Sequence, residues 1–206
     1  MTEDEEFGRW QRIQRPFGIG RWLLVAGLVA LLLLLVIGAV IVAAGRPLAL
    51  GAVQRLAARK FPAVLWVQPA ELALWRADSS RPPPVVLDAR TPVEYAVSHL
   101  QGAARIDPRR PTLKGLDAFP RDTPVVLYCT VGYRSARVAQ WLRRQGFQTV
   151  YDLSGGLFAW ANQGRPMEVD GRPAAEVHPY NTVWGRLLKP EVRAARPPIT
   201  DPLSLP

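Results

Sequence analysis

A chain of 206 residues has room for one ordinary domain with appendages, and its 49% hydrophobic content includes one large apolar block near the N-terminus. One cysteine excludes an internal disulfide and a cysteine-cluster metal site, and His99 and His178 stand too far apart in sequence to support a metal centre. The formal charge of +9 suits an anionic partner, but no basic stripe interleaved with aromatics is present, so no nucleic-acid partner is expected.

Residues 1–21 read as a polar N-terminal tail in which four acids balance four arginines. From Leu23 to Ala44 every residue is apolar or glycine, a run of 22. At about 1.5 Å per residue such a helix is roughly 33 Å long, enough for a hydrocarbon core of about 30 Å. Arg21 with Trp22 and Arg46 with Pro47 mark its ends, so residues 22–45 are expected to form a transmembrane helix, and a lipid bilayer becomes a partner. A cleaved signal peptide has a shorter apolar core, about 7–15 residues, and a buried soluble helix would show a polar face. Orientation stays open, because Arg9, Arg12, Arg15 and Arg21 on one side match Arg46, Arg55, Arg59 and Lys60 on the other. A reducing cytoplasm would keep the thiol ready, which leans the soluble part to that side.

Residues 46–63 form a basic juxtamembrane linker. Leu48 to Lys60 reads either as an amphipathic helix on the membrane surface, with Arg55 and Arg59 opposite Val53, Leu56 and Ala57, or as a plain linker helix. The domain itself is expected over residues 64–168, where short apolar runs alternate with turn residues. Pro69-Ala70-Glu71-Leu72 with Leu74 and Trp75 is a short helix, and Val85-Val86-Leu87 a buried strand. Thr91, Pro92 and Glu94 make a capping box that opens a second helix. Residues 107–124 are mostly loop, and Val125 to Tyr128 is a second strand. A helix from Ser135 to Gln145 stops at Gly146. Thr149-Val150-Tyr151 is a third strand, and Gly155-Gly156 leads a last helix through Trp160. This alternation predicts an α/β fold, a parallel sheet flanked by helices. Residues 169–206 form a tail rich in proline and arginine, expected to be extended apart from an apolar stretch, His178 to Leu188, able to dock or to engage a protein partner.

Cys129 draws attention by position. It follows directly on a strand, and in an open parallel sheet ligands bind beyond the carboxyl ends of the strands. The loop Thr130-Val131-Gly132-Tyr133-Arg134 places glycine in its middle, where backbone can curve around an anion. The following helix adds positive potential, and Arg134 adds a full charge. Together these should depress the thiol pKa and hold a thiolate or persulfide. The competing reading is an inert buried cysteine.

Val126-Leu127-Tyr128-Cys129-Thr130-Val131-Gly132-Tyr133-Arg134-Ser135 resembles the active-site loop of rhodanese domains. Gly146-Phe147 through Leu153-Ser154-Gly155-Gly156 and Ala159-Trp160 is similar to the family's closing segment. Leu87-Asp88-Ala89-Arg90-Thr91-Pro92 with Glu94-Tyr95, His99-Leu100 and Gly102-Ala103 is similar to its first signature. The resemblance spans about residues 64–168 and implies a rhodanese-like fold and a sulfurtransferase of the thiosulfate type. It also implies that Cys129 takes sulfur from a small anion such as thiosulfate or a persulfide and passes it to a thiol or cyanide acceptor. On this reading the amides from Thr130 through Val131, Gly132 and Tyr133 to Arg134 hold the persulfide, and Arg134 orients the donor. No metal or other cofactor is implied.

Phosphatases of related architecture separate cysteine and arginine by five residues; here that position is Ser135, and the tighter ring suits sulfur. Asp88 and Arg90 read as a structural pair, Glu94 as a cap, His99 as a packing and hydrogen-bonding residue, and Gly155-Gly156 with Trp160 as turn and core. Ser98 and Gln101 depart from the family's pattern, and Tyr133 is bulky enough to narrow the mouth or touch the acceptor. The alternative function is a membrane-tethered binding module with little catalysis, which would not need the full Cys129 loop.

Overall fold

The structure is a computed structural model that describes residues 19–195. Residues 1–18 of the expected polar tail and residues 196–206 lie outside the described residues. The chain divides into two units, Met1–Gly45 and Arg46–Pro206, and helix α1 (Ile19–Lys60) lends residues to both.

In the first unit the side chains from Trp22 to Gly38 are described, and all are exposed. Trp22 is 74% and Leu34 67% accessible. Among the described residues no helix is long and apolar enough to cross a membrane. The transmembrane span expected over residues 22–45 is therefore not established by α1, and residues 39–44 of that span have no described side chains.

The second unit is built on a five-stranded sheet in the order β1-β5-β4-β2-β3, with every pairing parallel. Its strands are β1 (Leu65–Val67), β2 (Val85–Asp88), β3 (Ala104–Arg105), β4 (Val125–Tyr128) and β5 (Val150–Leu153). Helices α2 (Pro69–Ala77), α3 (Pro92–Val97), α4 (Tyr133–Arg144) and α5 (Gly156–Asn162) alternate with them. β4 is central and buried along its whole length, which is why Val-Val-Leu-Tyr reads as a continuous apolar run rather than an alternating one. Successive side chains still point to opposite faces. Val126 and Tyr128 pack with Leu72, Leu157 and Phe158 on one side. Val125, Leu127 and Cys129 pack with Ala136, Ala139 and Leu142 of α4 on the other.

Two segments differ from the expectations. Residues 46–63 are part of the domain rather than a linker, because α1 buries Leu50 and Ala57 in the core with Val53 packed beside Leu50. These positions recur at helical spacing and face protein, so Val53 and Ala57 of the expected stripe join the core, whereas Leu56 is 63% exposed. The basic residues Arg55 and Arg59 are left outside. The tail, described as far as Ala195, packs onto the domain instead of extending from it. Met167–Val169 and Arg172–Ala174 form an antiparallel hairpin, β6 and β7. Val177 and Leu188 are fully buried in the core, and Val177 bridges to Arg193. These apolar anchors and the backbone bridge offset the ordering entropy that its proline-rich composition led one to expect would win.

Candidate active site

β4 ends at Tyr128, and the next residue, Cys129, is 1% exposed. Three local features turn the chain behind it into a cradle. Gly132 takes φ 101°, a left-handed conformation that side-chain-bearing residues adopt at a cost. This turn aims the Gly132 amide at Cys129 Sγ, 3.2 Å away. α4 then starts at Tyr133, earlier than its apolar spacing suggests, so its N-terminal end faces the sulfur.

The outer side of the loop is fixed by α5. The Leu157 amide donates to the Cys129 carbonyl at 2.8 Å, and the Phe158 amide to the Thr130 carbonyl at 3.1 Å. With those carbonyls held outward, the loop amides are left to face the sulfur. Such close approach requires glycine. A Cβ on Gly156 (φ 58°) would fall into the Cys129 carbonyl and lie 2.7 Å from the carbonyl carbon of Thr130. Gly155-Gly156 therefore shapes the site, a role that reading it as turn and core missed.

The thiol pKa is lowered from its ordinary value. Burial acts against this as the largest single influence, but the Arg134 charge, Ser135 and the Val131 amide outweigh it together. Cys129 is thus held toward the thiolate, the form that attacks sulfur.

Among the expected loop residues, Val131 and Gly132 supply amides to the sulfur. Thr130 turns its hydroxyl away, donating to Glu94 Oε1 at 2.7 Å. Tyr133 is 40% exposed. It lies edge-on to Phe61 with ring centroids 5.6 Å apart and accepts a hydrogen bond from Lys60. Arg134 sends Nη1 and Nη2 to the Glu94 carboxylate at 2.9 and 2.7 Å and donates to the Thr130 hydroxyl at 2.7 Å. Its guanidinium carbon lies 5.0 Å from the centre of the Tyr180 ring. The contacts with Glu94 and Thr130 use three of the five guanidinium N–H groups, and the Arg134 charge also acts on the sulfur.

Glu94 proves to be more than a cap. It completes the capping box with Thr91, yet it is also buried and carries the ion pair to Arg134. Burial would raise its pKa. The hydrogen bonds and charge of Arg134, with Arg90 and Thr130, overcome burial and hold the carboxyl at about 2. Tyr180, from the segment read as tail, is a second missed residue, held at φ 62°. No motif marks it, since it stands 46 residues beyond Arg134. Asp88 and Arg90 form a buried bidentate pair that also binds the Ser98 carbonyl, consistent with a structural role. His99 stacks on Tyr95 at 3.8 Å and meets its carbonyl at 3.1 Å. Among the described residues no cluster of side chains could hold a metal ion.

Residues 70–163 match the rhodanese-like domain family, a stretch that contains the Cys129 loop with Glu94, Arg134 and Gly156. A protein named sulfurtransferase from Allochromatium vinosum is 34% identical over 83 residues, covering 40% of this chain and 77% of that protein. The probable adenylyltransferase/sulfurtransferase MoeZ of Mycobacterium tuberculosis is 38% identical over 101 residues, covering 48% of this chain and 25% of that one. A tRNA uridine(34) hydroxylase from Bacillus pumilus is 37% identical over 98 residues, covering 44% and 29%. The chain thus spans less than a third of the length of the last two relatives.

Proposed function

The chain belongs to the rhodanese-like family, and from that premise we propose that it is a sulfurtransferase that moves sulfane sulfur through a persulfide on Cys129. One observation carries this reading: a buried cysteine at the end of the central strand, its pKa lowered, with the Gly132 amide 3.2 Å from its sulfur. The Cys129 thiolate attacks the outer sulfur of a thiosulfate-like donor. A new S–S bond forms, the donor's S–S bond breaks, and sulfite leaves with its electron pair. The persulfide is an anion at the spot where the loop amides and the Arg134 charge favour one. An acceptor thiolate, or cyanide, then takes the outer sulfur and returns Cys129 to thiolate.

The finer reading is that this occurs beside a membrane. The support is the run of exposed apolar side chains from Trp22 to Ile37, which has no polar face and is costly to leave in water. Flotation of the full chain with lipid vesicles, resistant to alkaline carbonate and lost when residues 1–45 are deleted, is the expected result. A chain that stays soluble without lipid or detergent overturns the anchor.

The enzyme reading is tested by thiosulfate-to-cyanide turnover and by intact mass after donor treatment. Wild type should gain one sulfur atom and turn over with ping-pong kinetics; Cys129→Ser should do neither. Absence of both persulfide and turnover in wild type, across thiosulfate and persulfide donors, leaves a tethered binding module as the better account.

A further inference from the structure

Against the Cys129 loop lies a buried carboxyl that the sulfur-transfer chemistry does not use. Asp152 is the third residue of β5, level with Leu127 on β4 and Trp66 on β1, and has no exposed surface. It sits directly under the loop's apex: a Cβ on Gly132 would lie 3.4 Å from Asp152 Oδ2 and 3.4 Å from the Trp66 ring. Ser135, also fully buried, faces both Cys129 and Asp152. Neither oxygen of Asp152, nor Ser135 Oγ, nor Trp66 Nε1 closes a hydrogen bond of good geometry.

An ionised carboxylate with no firm partner at such a position is costly enough that the group takes a proton instead. The groups that face Asp152 can be named from each packed element. β4 leads into Cys129, α4 brings Ser135, β1 brings the Trp66 indole, the loop brings the Gly132 backbone, and β5 itself adds the Leu153 amide. None of these is a cation. The nearby guanidinium of Arg134 pairs with Glu94 instead.

We propose that Asp152 is a neutral carboxylic acid that positions Cys129, and that the proton it keeps lets the cysteine carry negative charge as thiolate and as persulfide. Cys129 and Asp152 behave as one site with room for a single negative charge, and the sulfur takes it. Burial first, and then the charge on Cys129, push the Asp152 carboxyl well above the ordinary range. Through donor attack and sulfur release the proton does not move. The acid's O–H and the Ser135 hydroxyl are free to turn toward the sulfur as its charge shifts outward by one atom. An ionised Asp152 would instead set two anions together in a dry pocket. The inference rests on Cys129 being ionised, and not on which donor or acceptor it serves.

The test reads the carboxyl itself. In infrared difference spectra of the full-length chain, wild type minus Asp152→Asn, a protonated-carboxyl C=O band is expected at neutral pH. It should shift when Cys129 is alkylated. In Cys129→Ser, where no thiolate opposes ionisation, the band should disappear at a lower pH than in wild type. Asp152→Asn, neutral and of the same shape, should keep the iodoacetamide rate of Cys129 within about threefold of wild type at neutral pH. A carboxylate band at neutral pH, or identical titrations in wild type and Cys129→Ser, overturns the proposal. So does a loss of about tenfold or more (about 1.4 kcal/mol) in the alkylation rate of a folded Asp152→Asn. None of these readouts needs turnover, so a failure of the sulfur-transfer reading would be seen separately.

Discussion

Replacing Glu94 by glutamine tests whether the site is held together by the ion pair between Glu94 and Arg134. The glutamine keeps the shape and can still cap Thr91, but it removes the charge that Arg134 meets at 2.7 Å. The Glu94 carboxyl lies at about 2 in the folded protein against an ordinary 4.5, a difference that linkage converts to about 3 kcal/mol. Glu94 is only 2% exposed, so solvent screening takes little from that figure. Because the folded value is the depressed one, the stabilisation is complete above about pH 4.5 and drains away as pH falls toward about 2. Glu94→Gln should therefore unfold in less urea than wild type near neutrality, by about 3 kcal/mol, a size in keeping with one broken partner of a buried pair. The two proteins should converge in acid. Tryptophan fluorescence follows the transition, since the chain holds seven tryptophans. A difference under about 1 kcal/mol at neutral pH, or one that does not shrink between about pH 5 and pH 3, would refute the reasoning.

Gly156→Ala places a methyl group 2.7 Å from the Thr130 carbonyl carbon at φ 58°, and neighbouring backbone cannot swing aside. A loss of about 2–4 kcal/mol is expected, with slower alkylation of Cys129; wild-type behaviour in both would show that α5 does not set the loop. Iodoacetamide alkylation of wild type should reach half its plateau below the ordinary thiol value of 9.0, and Arg134→Gln should move that midpoint upward. An unmoved midpoint would remove Arg134 from the electrostatics of the sulfur. Leu188→Ala, at a position with no exposed surface, should cost about 2–5 kcal/mol in urea unfolding, whereas an undocked tail would register under about 0.5 kcal/mol.

The sheet and the Cys129 loop could be read from sequence because their determinants are local. Val125 to Tyr128 is a buried strand by composition alone, and Thr91, Pro92 and Glu94 announce a helix start that the capping box confirms. Gly132 likewise advertises the turn it makes. Short or edge strands left no such trace. β3 has neither of its two residues buried and produces no apolar run; β1 is apolar but only three residues long with one buried, too short for its composition to mark it apart from its pairing with β5. The docking of residues 178–188 was expected from their apolar content, whereas that of the flanking residues 171–177 and 189–195 was hidden for a related reason. The anchors outside that stretch, Val177 and Ala194, carry no helical or alternating apolar pattern, and only the surface they meet makes them core.

The harder lesson lies in Glu94, Arg134 and Asp152, where the residue types were visible and their partners were not. Glu94 satisfies a local rule so well that the capping box alone would account for it, yet the same carboxylate reaches 40 residues along the chain to Arg134. Arg134, in turn, gives no sign in sequence that Glu94 and Thr130 are its partners. That pairing has a consequence for the charge around the sulfur. Glu94 offsets part of the Arg134 charge, and what remains holds the thiolate together with the loop amides and Ser135. A second negative charge against the loop would meet little further opposing charge, which is the physical reason Asp152 must hold its proton if Cys129 is to lose its own. Glu94→Gln should in that case make Cys129 ionise more readily even as it weakens the fold, because it exposes the sulfur to the unshielded Arg134 cation. Alkylation midpoints of folded wild type and Glu94→Gln measured side by side decide the point; a higher midpoint in the variant would mean that the pair serves to aim Arg134 rather than to mute it.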